Sequence, residues 1–224
     1  MKKKSSLAQG AAGNAPPLNL RRGGKFYQGK GAVIDIDDQS PRRFFTSLAE
    51  CLDKTIVTSC ADSLVKRDAA LRRMATLFAS THRGGGKVFF IGNGGSAGIA
   101  SHMAVDWTKN GGVRSQALND SATLTCFAND FGYDRVFGKQ LEYYATKRDC
   151  VVIVSSSGRS LNILDAASSA RLIGCRFIVT LSGMNPNNVL RQKGDLNFYV
   201  PCAGYGQIEL AHLALLHSMI GVAP

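Results

Sequence analysis

Residues 150–160 read CVVIVSSSGRS, and this stretch decides the fold. Its first half, Cys150–Ser155, is an apolar run rich in β-branched residues, with no polar alternation. A strand of that kind is buried on both faces, as in a parallel sheet covered by helices. Its second half turns polar at once. Ser155, Ser156, Ser157 and Ser160 surround Gly158 and Arg159, and a helix is expected over Leu161–Ile173. The unit is strand, polar loop, helix. Ligands of open parallel sheets bind beyond the carboxyl ends of the strands, so chemistry is sought in such loops.

Working outward, Lys87–Ile91 (KVFFI) is a second short strand, leading through Gly92-Asn93-Gly94-Gly95-Ser96 into a helix over Gly94–Lys109. Three glycines let the backbone turn sharply and approach a ligand closely, and the helix start offers free N–H groups. The loop is not GxGxxG, and no acid ends the next strand, Arg114–Leu118. Nor is it GxxxxGK[ST]. Dinucleotide and P-loop readings are therefore disfavoured. Ser121–Thr146 reads as helix broken near Asn129–Gly132. Arg176–Ser182 and Asp195–Val200 read as strands, and a helix from Gln207 to Ile220 closes the chain. Before the first strand, Phe44, Phe45, Leu48, Cys51, Leu52, Ile56 and Val57 recur at helical steps. Leu64, Val65, Leu71, Met74, Leu77 and Phe78 repeat the pattern, and this second helix should stop before Gly84. The expectation is an α/β three-layer sandwich with four or five parallel strands and two N-terminal helices.

Composition agrees. The chain has 224 residues, 45% hydrophobic and 19% charged, which is globular rather than disordered composition. No apolar run reaches the ~18–20 residues of a membrane helix; the nearest, Ala203–Val222, carries Glu209, His212 and His217. None of the six cysteines has CxxC spacing, so buried reduced thiols and a cytoplasmic location are expected. The net charge is +11, and residues 1–43 hold nine Lys/Arg against three Asp. Residues 1–40 are expected to be a disordered basic leader, and 41–224 the domain. The mildly basic remainder suits an anionic small substrate. It has no basic stripe with interleaved aromatics, so nucleic acid is not the expected partner.

Four hydroxyls in six positions exceed what helix capping uses. With the free N–H groups of a helix start and Arg159 nearby, they point to a phosphate cradle. Lacking a Walker lysine and an aspartate for magnesium, the loop fits a phosphate monoester better than a nucleotide. His102 and Asp106 stand four apart on the helix after GNGGS, and so share a face. On the last helix, Glu209 and His217 lie about 80° apart around the wheel, on one broad side. Such residues suit a zinc site, an acid–base pair, or an ordinary helix-face contact. Spacing leaves the three open.

GNGGS before a helix, SSSGRS after a strand, and Asn129-Asp130-Phe131-Gly132-Tyr133 between them together resemble the sugar isomerase (SIS) domain family, nearest to the sedoheptulose-7-phosphate (phosphoheptose) isomerases. The likeness runs from about Phe44 to Ile220. It implies a five-stranded parallel sheet, a homotetramer with sites between subunits, and conversion of sedoheptulose 7-phosphate to D-glycero-D-manno-heptose 7-phosphate, towards the heptose of bacterial lipopolysaccharide or related glycans. By position it implies phosphate contacts from Ser155, Ser156, Ser157 and Ser160, and substrate contacts from Asn93, Gly94, Ser96, Asp130 and Glu209. Catalysis falls to Asp106 and His217, and zinc, which some members bind, to His102, Asp106, Glu209 and His217. The chain departs from the family pattern with Asp for Glu at 106, Glu for Gln at 209, Ala97-Gly98-Ile99 where polar residues are usual, and no aspartate in the turn Gly204–Gln207. A non-catalytic relative that binds a phosphosugar or a replication initiator is the alternative. Such proteins lose the acid and the last histidine, and this chain keeps both.

Overall fold

The computed structural model describes residues 40–222. The expected leader lies outside them except for Ser40, whose side chain accepts from Arg43 N and caps the first helix, with Pro41 at its start. In chain order the elements are α1 (Pro41–Asp53), β1 (Ile56–Ser59), β2 (Leu64–Val65), α2 (Arg67–Arg83), β3 (Val88–Gly92), α3 (Gly95–Lys109), β4 (Ser115–Ala117), α4 (Ser121–Phe131), α5 (Val136–Tyr144), β5 (Cys150–Ser155), α6 (Leu161–Ile173), β6 (Phe177–Ser182), β7 (Leu196–Tyr199) and α7 (Tyr205–His217). The sheet order is β2-β1-β7-β6-β5-β3-β4.

The five strands read from the sequence are present and mutually parallel. The sheet nevertheless has seven strands, not five. Ile56–Ser59 pairs antiparallel with β7 and turns back on itself to pair with Leu64–Val65. The apolar period places Ile56–Val57 in the first helix and Leu64–Val65 in the second. In the structure α1 stops at Asp53, and the β-branched run Ile-Val-Thr favours a strand once a partner is near. The partner is the edge of β7, whose backbone groups would otherwise lie unpaired. The hairpin closes through Asp62, at φ 55, a left-handed conformation that Asp tolerates better than most side chains.

Every residue of β3, β5 and β6 is buried. Alternate side chains go to opposite faces. Val88, Phe90, Val152 and Val154 join a core with residues of α1, α2, α3 and α7. Phe89, Ile91, Val151 and Ile153 join a second with α5 and α6. This gives the three layers. Phe90, fully buried against the edge of Phe78, typifies positions where truncation to Ala costs ~3–5 kcal/mol. All six cysteines are free thiols; Cys51, Cys150, Cys175 and Cys202 are buried, whereas Cys60 and Cys126 are exposed. No helix among the described residues is long and apolar enough to cross a membrane.

From β3 the chain crosses to β4 on one side and then to β5 on the other. The carboxyl ends of β3 and β5 are therefore neighbours at a topological switch point, the place where such sheets leave a crevice. Gly92 lies opposite Val154, so the GNGGS and SSSGRS loops rise side by side.

Candidate functional site

In the first loop, Gly92 leaves the sheet where an added Cβ would stand 2.8 Å from Ser96 Cβ, so only glycine lets the turn close this tightly. Gly94, at φ 53, is the residue before α3. The space a Cβ of Gly95 would fill is held by the Glu209 carboxylate, reaching across from α7. An acid there faces the positive end of the α3 dipole.

The second loop is built as a receptacle. Ser155 Oγ accepts from Gly158 N at 3.2 Å. Gly158 has φ 62, and its Cβ space is taken by Asn188, itself buried and donating to Ser182 Oγ, Gly183 O and Asn185 O. Ser156 Oγ is buried with no hydrogen-bond partner, which calls for a ligand or solvent. Ser160 stands at the cap position of α6 without using its side chain to cap. Its hydroxyl and the first N–H groups of α6 remain available to an anion.

Together the loops enclose a cavity of about 130 Å³ lined by Asn93, Ser96, Ser155, Ser156, Ser157, Ser160, Tyr205 and Glu209. Grooves of about 490 and 440 Å³ elsewhere are larger and mostly apolar. Two residues expected here stand apart. Arg159 is exposed and does not line the cavity. Asp130 is exposed on α4, accepting from Asn129 Nδ2 at 2.9 Å. Its segment reaches the loop through Tyr133 instead, whose hydroxyl donates to Asn93 Oδ1 at 3.3 Å. Gly94 shapes the first loop without lining the cavity. The sequence reading missed Tyr205, Tyr133 and Asn162. Asn162 exchanges two hydrogen bonds with Asn93, at 2.9 and 3.0 Å. An Asn in a first helical turn carries no signal that separates it from an ordinary polar position.

A second group forms where α3 lies along α7. His102 Nε2 and His217 Nε2 are 2.8 Å apart, and Asp106 Oδ2 lies 3.3 Å from the first and 3.5 Å from the second. One ligand atom from each lies within 4.8 Å of the other two. Asp106 is the most sheltered, with 17% of its side chain exposed against 50% and 41% for the histidines. Two imidazole nitrogens and a carboxylate oxygen converging on one point are a donor set that fits zinc with three protein ligands. The fourth expected ligand, Glu209, is not in this group. It sits eight residues before His217, about 12 Å of helical rise, and its carboxylate belongs to the loop cavity. His212 takes no part. It is fully buried, its Nε2 is 3.1 Å from Ser182 O, and burial pushes its pKa down to about 4. It is a neutral core histidine.

With fold and site in view, the chain belongs to the SIS domain family, whose model matches residues 54–182. Among curated proteins it is 36% identical over 164 residues to the phosphoheptose isomerase of Chlorobium phaeovibrioides, covering 69% of this chain and 76% of that one. It is 35% identical over 157 residues to the Yersinia pestis phosphoheptose isomerase, covering 67% and 80%. Among solved structures, it superposes on the phosphoheptose isomerase of Neisseria gonorrhoeae with a TM-score of 0.67, at 27% identity over 80% of this chain and 95% of that one. The corresponding structure from Francisella tularensis gives 0.69, at 25% identity over 81% and 95%.

Proposed function

We propose that the protein is an aldose–ketose isomerase of phosphorylated sugars, converting sedoheptulose 7-phosphate to D-glycero-D-manno-heptose 7-phosphate on the way to the heptose of surface glycans. The observation that carries this reading is the meeting of His102, Asp106 and His217 from two helices that also frame the serine cavity. A phosphate-binding protein without chemistry has no use for two hydrogen-bonded histidines with an acid within 3.5 Å of both. The names of the relatives support the same substrate class.

In this mechanism the hydroxyls of Ser155–Ser160 and the N–H groups of α6 hold the phosphate. The sugar extends from it towards α3 and α7. Asp106 takes the proton from C1 as the C2 carbonyl oxygen gains one from His217, giving an enediol. The O1 proton is then given up, C2 is protonated, and C1 becomes the aldehyde, with no net gain or loss of protons. Acid–base help of this kind contributes ~10²–10⁴-fold. Zinc, when bound, would be held by His102, Asp106 and His217 and would supply Lewis-acid polarisation of the sugar oxygens, His217 then serving as a ligand in place of the proton donor. The functional unit is residues 41–224, with the basic leader outside it, assembled as a homotetramer with sites at subunit boundaries.

The test is incubation of the purified protein with sedoheptulose 7-phosphate, following the aldose by NMR before and after zinc addition. The aldose should accumulate. A ketose left unchanged in both conditions sinks the reading.

A further inference from the structure

We propose that Asn162 is a positioning residue that fixes which way Asn93 faces, turning Asn93 into a one-way hydrogen-bond donor at the cavity wall. The inference rests on the isomerase reading for its substrate and on the geometry for everything else. Asn93 sits in the loop after β3, and Asn162 in the first turn of α6, after β5. They bridge the switch point with a reciprocal amide pair. Asn93 Nδ2 donates to Asn162 Oδ1 at 2.9 Å, and Asn162 Nδ2 donates to Asn93 Oδ1 at 3.0 Å. Asn162 is 3% exposed, so its side chain is out of reach of bulk water and depends on such partners.

An Asn side chain offers two N–H donors and two lone pairs. At Asn93 one lone pair takes Asn162 Nδ2, and the other takes the Tyr133 hydroxyl at 3.3 Å. One N–H is spent on Asn162. A single N–H is left, on a half-buried residue that lines the cavity. It can serve only an oxygen that accepts. Glu209 on the same cavity is the complement when ionised, because a carboxylate only accepts. The pair thus sets a direction on the bound sugar: an oxygen acceptor towards β3, a hydroxyl donor towards α7. Without Asn162 only the Tyr133 hydroxyl, which can donate or accept, restrains the Asn93 amide, and a half-turn loses the direction.

The test compares Asn162→Ala, Asn93→Ala and the double variant, with Asn162→Asp as the near-isosteric control. Asn162→Asp keeps an acceptor for Asn93 Nδ2 but sets an oxygen against its Oδ1. Asn162→Ala and Asn162→Asp should each raise KM for sedoheptulose 7-phosphate about 10-fold, with kcat within about 2-fold. The double variant should be no worse than Asn93→Ala, because Asn162 acts through Asn93. Fold-changes in KM that multiply in the double variant overturn the proposal. So does a lowered Tm with KM unchanged, which marks a purely structural residue. Neutron diffraction structures of the wild type and of Asn162→Asp, which tell amide O from N, decide the same point without turnover. Asn93 with its amide turned or in two orientations in the variant supports the proposal, and Asn93 held in the wild-type orientation overturns it. If the wild type turns over no sugar phosphate, the isomerase reading fails while these structures still decide the role of Asn162.

Discussion

The loop cavity and the His102–Asp106–His217 group are built by different means. The cavity is a set of short polar side chains whose positions the backbone fixes. Strand ends, glycine turns and a helix start fix its groups, and Asn188, Asn162 and Glu209 brace it from three elements. The histidine group is made of side chains on two helix faces, and both rings are about half open to solvent in the single chain. The first region can hold an anion as it stands. The second brings the reactive groups together and leaves them accessible from outside. The proposed function divides along the same line, with phosphate recognition in the loop region and proton transfer in the side-chain group.

This division can be broken by mutation. The largest effects should fall on the side-chain group. Asp106→Asn keeps shape and hydrogen bonding but removes basicity, and should lower kcat ~10²-fold or more with KM within a few-fold. His217→Gln should behave alike, and the double variant should be little worse than either, because the two act as one unit. Steady-state kinetics that add the two losses in full would contradict a shared proton path.

The cavity should respond in KM. Ser157→Ala or Ser160→Ala removes a hydrogen bond to a charged oxygen, worth ~1.5–3 kcal/mol, or roughly 10- to 100-fold in binding. Kinetics in which KM ignores both changes would reduce the loop to a helix start. Glu209 sharpens the boundary between the regions. His102→Ala should lose bound zinc, measured as metal content after dialysis, whereas Glu209→Ala should retain it and shift KM a few-fold. Zinc lost from Glu209→Ala would return that residue to the metal group.

A separate effect is on stability, outside both regions. His212 has a folded pKa of about 4 against an ordinary value near 6.5, because burial disfavours its charged form. Between those values the unfolded chain binds more protons, so stability falls as pH drops from about 6.5 towards 4, by up to roughly 3 kcal/mol. Tm measured across that range should fall less steeply in His212→Gln. An unchanged slope would mean other groups carry the acid sensitivity.

The same contrast explains what could be read in advance. The cavity follows from the chain because an apolar run ending in Gly or Ser marks a strand end, and parallel topology places strand ends together. The hairpin Ile56–Val65 did not follow. Its apolar residues continue the stripes of the flanking helices, and only the open edge of β7 makes them strands. In the histidine group, the four-residue step joined His102 to Asp106. The approach of His217 depends on how α7 lies along α3, a tertiary fact. Glu209 enters the metal set through the resemblance, whereas in the structure its rise along the axis places it on the loop cavity. Asp130 was carried over with its motif, and its neighbour Tyr133 makes the contact.

The central claim, that Asp106 and His217 move a proton between C1 and C2, is tested most directly by running the reaction in D₂O and reading the sugar by NMR. The account predicts deuterium at C1 of recovered ketose or at C2 of the aldose with wild-type protein, and loss of that exchange in Asp106→Asn. Exchange retained at the wild-type rate in Asp106→Asn would contradict it.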